Sequence, residues 1–353
     1  GLQPYRARSS PGRCRRDIHR WHGLRTLEQE VTEGCQVNEI RVGVIGLGSI
    51  GLRMLAAIEE HPEFVATLAW APRSGAVQAA RATFPDLRIA DSASEVTGTQ
   101  GVELVYVACP PDHHATYALA ARSADKAVLC EKPLGIDMVD SEALVGAMAN
   151  GPAHGVNFLL AASRPANTLY DLAANGELGC IHHVEVRMHL RTWSEHRYLE
   201  SPWLANSRAG GFLREVGSHY VYYARRMLGA LTMHSAHVEG RDDISAEHFA
   251  HILLQAGAIP VTMVGSTSSG TPDTNVCIVH GERATYRIRD FHWLDTAGAS
   301  GWMPAYPAPE KPERETHLRQ LDNVKRLLAG DEKSTASFSD ALAVQRHVEA
   351  MLA

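Results

Sequence analysis

The stretch Ile40-Arg41-Val42-Gly43-Val44-Ile45-Gly46-Leu47-Gly48-Ser49-Ile50-Gly51 decides the fold. Its first half is a short apolar run with the composition of a buried strand. Its second half carries Gly46, Gly48 and Gly51, the G-x-G-x-x-G spacing at the point where a strand turns into a helix. In such a turn Gly46 permits the tight bend, Gly48 lets a pyrophosphate approach the backbone, and Gly51 lets the helix pack closely on the strand. Ser49 and Ile50 begin the helix, whose free N–H groups and partial positive charge favour phosphate. Met54, Leu55 and Ile58 keep helical spacing as far as His61-Pro62. Glycine turns also serve packing alone and occur in other nucleotide folds, so the flanking sequence must supply the rest of the argument.

The chain has 353 residues, enough for two domains. At 45% hydrophobic and 21% charged residues it has the composition of a soluble globular protein. No apolar run reaches membrane-spanning length. A formal charge of -6 argues against a nucleic-acid surface, which needs a clustered basic face. The six cysteines have neither paired nor zinc-ligand spacing, which reads as buried thiols in a reducing cytoplasm. Residues 1–38 differ from everything after them: seven arginines precede residue 26, and apolar periodicity is missing. A disordered leader is expected there, outside the fold.

After the first helix a second strand is expected over residues 64–70. An NAD-preferring turn places an acid about 20 positions past the glycines to accept the ribose hydroxyls. Here Ala71-Pro72 stands in that place, followed by Arg73 and Ser74, which favours NADP over NAD. A third strand is expected over residues 88–90, and Ser92 with Glu95 has capping-box spacing. The fourth strand, residues 102–108, runs into Cys109-Pro110-Pro111-Asp112-His113-His114. The fifth, residues 127–130, runs into Glu131-Lys132-Pro133. Both turns lie at the carboxyl edge of a parallel sheet, where ligands bind in this architecture. A further strand is expected over residues 155–160 and a long one over residues 181–190. Its His182, His183 and His189 are read as lining a sheet face, and no metal site is expected. Glu215 and His219 follow Gly210-Gly211 at i, i+4 spacing, so on an α-helix they share a face and can meet. Strand candidates without intervening helices, between residues 236 and 288, imply an antiparallel sheet. A Pro-rich linker at residues 304–312 and two helices, residues 317–328 and 339–352, complete the chain.

The segments GLGSIG, ACPPDHHA and LCEKPLG, in this order and spacing, resemble the Gfo/Idh/MocA family, that of glucose-fructose oxidoreductase and inositol dehydrogenase. The resemblance covers nearly the whole chain after residue 39, and Glu131-Lys132-Pro133 is its most specific part. It implies an α/β fold: a Rossmann dinucleotide-binding domain over residues 39–157, then an α+β domain over residues 158–353 with a large, mostly antiparallel sheet. It implies a homodimer or homotetramer and a small-molecule substrate, a sugar or polyol. It also implies an NADP or NAD cofactor touched by Cys109, Pro110, His114, Glu131 and Lys132 besides the glycine turn. Lys132 is then the group that hydrogen-bonds the reacting oxygen and His219 the general acid and base. Glu215, where the family commonly has Asp, is expected to orient His219. Trp203, Tyr220 and Arg191 are weaker candidates for substrate contact. After Asn157 the family commonly has an aromatic-arginine pair, whereas this chain reads Phe158-Leu159-Leu160-Ala161-Ala162, which suggests a less charged substrate. Two other readings stay open: a dinucleotide-binding sensor without turnover, and a glycoside hydrolase that holds NAD as a catalyst.

Overall fold

A computed structural model of the chain describes residues 39–191, 193, 201–242, 244–267, 270, 272–307 and 309–353. Residues 1–38, where a disordered leader is expected, lie outside the described residues. Strands β1 (Ile40–Ile45), β2 (Phe64–Trp70), β3 (Leu104–Val107), β4 (Ala127–Glu131) and β5 (His154–Asn157) form a parallel sheet in the order β2-β1-β3-β4-β5. Helices α1 (Ser49–Glu60), α2 (Ser74–Thr83), α3 (Ala93–Gly98), α4 (His114–Ser123) and α5 (Met138–Met148) connect or flank them. Alternate residues enter two different cores: Leu104, Tyr106 and Leu129 one, Val105, Val107, Val128 and Cys130 the other. A sheet covered on both faces has no polar side, which is why these strands are almost uniformly apolar.

Two expectations are corrected here. Residues 88–90 make only one bridge, Ile89 against Ala69. They lie between the turn after α2 and the Ser92 cap, whose Oγ accepts from Glu95 N at 3.1 Å, and this leaves no length for a ladder. The strand expected over residues 155–160 stops at Asn157, and the apolar residues beyond it form a helical turn, α6 (Leu159–Ala162). An apolar run this short does not distinguish strand from helix by period.

The second sheet has eight strands: β6 (Ile181–Leu190), β7 (Thr232–Gly240), β8 (Glu247–Ala256), β9 (Ile259–Thr267), β10 (Thr274–Gly281), β11 (Thr285–Arg289), β12 (Trp293–Gly298) and β13 (Gly301–Pro304). Their order is β13-β12-β11-β10-β6-β9-β8-β7, antiparallel except where β6 meets β9. Val184, Val186, Met188, Ile252, Leu254 and Met263 are buried on its inner face. They share a core with α7 (Arg164–Ala174), α8 (Ser218–Leu228) and α10 (Phe338–Leu352). Between these last two in sequence, α9 (Pro312–Leu328) returns to pack on α1, where Leu321 and Val324 join the core of Val42, Met54 and Leu104. Residues 39–353 thus belong to one compact unit.

Phe212, fully buried, leads into α8 through a π-helical turn, Leu213–Gly217, and its ring rests on the second sheet over Gly265. A Cβ at Gly265 would stand 2.3 Å from the ring edge. Gly265→Ala should therefore overpack this contact and lower stability by about 1–3 kcal/mol in urea unfolding; an unchanged midpoint would refute the tight fit.

Candidate active site

The glycine turn has the shape its residues require. Gly46 has φ +111°, and a Cβ there would lie 2.3 Å from the Ala108 carbonyl oxygen. A Cβ on Gly51 would lie 2.1 Å from the Gly46 oxygen, so Gly51 serves the approach of helix to strand and stands behind the ligand surface. Above Gly48 nothing lies within 4 Å of the place a Cβ would take, and no side chain caps α1. Open space over unsatisfied helix N–H groups fits a pyrophosphate. Gly46, Gly48, Ser49 and Ile50 border a cavity of about 500 Å³, within the usual range of small-molecule sites. Trp70, Ala71, Pro72 and Arg73 close one end. Ser74, the first residue of α2, is exposed and does not line it.

The turns after β3 and β4 bring Cys109, Pro110, Glu131 and Lys132 to the same cavity. Burial pushes the Cys109 thiol up to about 12, so it is a neutral wall group and not a nucleophile. His114 departs from expectation. It has no exposed surface and instead joins the two turns, with Nδ1 2.8 Å from the Pro133 oxygen and Nε2 2.9 Å from the Cys109 oxygen. Burial outweighs these contacts and pushes its pKa down; a neutral ring donates to one carbonyl only. The contact with the cavity is made by its neighbour His113, for which the sequence offered no role. Glu131 is buried and accepts from Tyr106 Oη at 2.5 Å and Asn157 Nδ2 at 2.6 Å. Burial raises its pKa against these two bonds and the Lys132 charge. Asn157 lines the cavity and its Oδ1 has no partner. Its place at the carboxyl end of β5, equivalent to Cys109 after β3, was the signal that could have marked it as a contact residue.

Lys132 Nζ donates to Glu215 Oε2 at 2.7 Å, with the two side chains only 10% and 17% exposed. The expected contact of Glu215 with His219 is not formed: Glu215 Oε1 and His219 Nδ1 are both buried without a hydrogen-bond partner. The reason is the π-helical turn Leu213–Gly217, whose i→i+5 bonding shifts residues four apart off the common face an α-helix would give them. All three side chains nevertheless border the cavity. The His219 ring is held edge to face by Phe158 and Phe291, at centroid distances of 5.8 and 5.0 Å. Phe291 follows Asp290 in the turn between β11 and β12, and both residues have positive φ, +68° and +49°. For residues other than glycine this is a costly conformation, of a kind found where a side chain must be aimed. Burial, and secondarily the Lys132 ammonium, push the His219 pKa well below the usual imidazole value. Its neutral form therefore prevails at physiological pH and can accept a proton. Trp203 also lines the cavity, whereas Tyr220 is buried in the core with its hydroxyl donating to Asn275 Oδ1 at 2.6 Å. Arg191, whose backbone N–H donates to Asp273 Oδ1, is not among the lining residues.

Comparison with known proteins places this geometry. Residues 40–153 match the oxidoreductase family with an NAD-binding Rossmann fold, GFO/IDH/MocA, and residues 166–287 match the GFO/IDH/MocA C-terminal domain. An uncharacterized oxidoreductase, ORF334 of Rhizobium meliloti, is 26% identical over 234 residues, 65% of this chain and 68% of its own. The scyllo-inositol 2-dehydrogenase (NADP(+)) IolW of Bacillus subtilis is 23% identical over 291 residues, 79% of this chain and 74% of its own. Among solved structures, a levoglucosan dehydrogenase in complex with NADH and L-sorbose superposes with a TM-score of 0.76 at 18% identity, covering 89% of this chain and 96% of its own.

The aromatic packing on His219 has a measurable effect. Phe291→Ala admits water to the ring and should raise the His219 pKa towards the ordinary imidazole value, so that protonation sets in at higher pH than in the unaltered protein. Titration of the His219 Cε1 proton by NMR checks this. The same midpoint in both proteins would show that Phe291 does not control the ring.

Proposed function

The chain belongs to the GFO/IDH/MocA family of oxidoreductases, and we propose that it is an NAD(P)-dependent dehydrogenase acting on a secondary alcohol, or the matching carbonyl, of a sugar or polyol. One observation carries the reading: a neutral, desolvated imidazole, a lysine ammonium and an uncapped glycine turn face one cavity. The dinucleotide, when bound, supplies the acceptor or donor of hydride. The glycine turn and α1 hold its phosphates. Lys132 stabilises negative charge as it develops on the reacting oxygen. His219 takes the hydroxyl proton in oxidation and returns it in reduction. Glu215 holds Lys132 through Oε2 and offers its free Oε1 to a substrate hydroxyl, so its positioning effect falls on the lysine.

NADP is the proposed preferred cofactor. Arg73 borders the cavity beside Ala71 and Pro72, where an acid would repel a 2'-phosphate, and the Bacillus relative carries NADP(+) in its name. A homodimer or homotetramer in the cytoplasm completes the proposal. Its support is the outer face of the second sheet, where Leu253, Val264 and Val276 remain partly open to solvent; light scattering tests it.

Reduction of NADP and NAD, followed by absorbance over a panel of polyols and sugars, tests the activity. His219→Asn should lower turnover roughly 100- to 10,000-fold with cofactor affinity nearly unchanged, and Lys132→Met at least as much. Near-normal turnover of His219→Asn would remove the imidazole from the proposed mechanism, and cofactor binding without turnover on any substrate would favour a sensor. Arg73→Ala should weaken NADP by about 1.5–3 kcal/mol and leave NAD unaffected, as fluorescence titration would show.

A further inference from the structure

Far from the cavity, on the outer face of the eight-stranded sheet, β6 and β10 run side by side with His183 directly opposite His280 and Glu185 two residues along β6 on the same face. We propose that these three side chains form a binding site for a divalent transition-metal ion of the zinc class. One ligand atom from each lies within 4.8 Å of the others, and His280 Nε2 stands 3.8 Å from Glu185 Oε2. The two imidazoles are stacked at 3.9 Å with planes 10° apart. Stacking alone leaves an unmet requirement: His280 Nε2 is buried and has no hydrogen-bond partner. A desolvated nitrogen without a partner is costly, and a metal ion satisfies it.

The surroundings favour an ion in two ways. Arg187 Nε forms an ion pair with Glu185 Oε1 at 2.9 Å, which holds that oxygen and leaves Oε2 towards the imidazoles. Such outer partners orient ligands in established metal sites. Both strands lie inside the sheet, β10 between β11 and β6 and β6 between β10 and β9, so the backbone that carries the ligands is held on each side. Tetrahedral zinc with bonds of about 2.1 Å places its ligand atoms about 3.4 Å apart. The soft imidazole ring torsions let the rings turn from stacking to converge on one ion. Two imidazole nitrogens and one carboxylate suit zinc or its late first-row neighbours and are a poor set for Mg2+ or Ca2+, which take oxygen ligands. Water fills the remaining position. All three ligands come from one chain, on the sheet face proposed above for subunit contact, and the site does not depend on the reading of the cavity.

Protein without an affinity tag, titrated with Zn2+ under equilibrium dialysis and with Co2+ followed by visible absorption, tests the site. One ion per chain is expected, unaffected by excess Mg2+ or Ca2+, together with a higher unfolding temperature in Zn2+. The His183→Asn/His280→Asn double variant should bind at least about tenfold more weakly and lose that thermal shift. Glu185→Gln, on a partly exposed side chain, should do the same in part and covers the case in which the double variant fails to fold. Unchanged stoichiometry and affinity in these variants would place the ion elsewhere, and no binding at micromolar Zn2+ would also overturn the proposal.

Discussion

The bond between Lys132 and Glu215 is the contact on which the cavity depends. It joins the end of β4 in the parallel sheet to the π-helical turn before α8, residues 83 apart in sequence. Removing two charges from water costs about as much as their attraction returns, so a partly buried pair of this kind adds little to stability and is better understood as a device for alignment. The surroundings bear this out. Glu247 Oε1 accepts from Leu213 N at 2.7 Å at the start of the same turn, and Phe212 seats it on Gly265. On the other side His114 ties the β4 turn to the β3 turn. Each end of the ion pair is thus anchored by a buried contact of its own, and the pair brings two rigid supports into register.

Much of this was legible in the sequence because it is local. The glycine turn has a fixed spacing, the parallel strands are uniformly apolar, and β6 has the limits its alternation suggests, residues 181–190. The positions after β3 and β4 could be assigned to a ligand edge from topology alone. What was not legible depends on contacts between distant residues or on the exact period of a helix. A single π-helical turn leaves the residue types of an amphipathic helix unchanged while altering which of them meet, and so Glu215 was expected on His219 and is found on Lys132. His113 and His114 are adjacent and identical in type; only the fold decides which one faces the cavity. Phe291 carries no motif, and its role comes from two successive left-handed residues in a hairpin turn.

The same distinction applies to the second sheet. Alternation on β6 separates buried Val184, Val186 and Met188 from half-exposed His183 and Glu185, but nothing in that period says that His280 will lie opposite His183. Cross-strand register is a property of the assembled sheet, set by which face is buried and by the turns between strands.

The return of α9 to α1 has a consequence for how the protein is made. The core that Val42, Met54 and Leu104 begin is completed by Leu321 and Val324, which leave the ribosome more than two hundred residues later. During synthesis the emerging dinucleotide fold keeps an apolar flank uncovered until the chain is nearly finished, and contacts this distant in sequence are slow to close. The nascent chain therefore has a long interval in which that flank is open to chaperones or to wrong partners, and a ribosome stalled before α9 would present a fold that is topologically complete but unsealed.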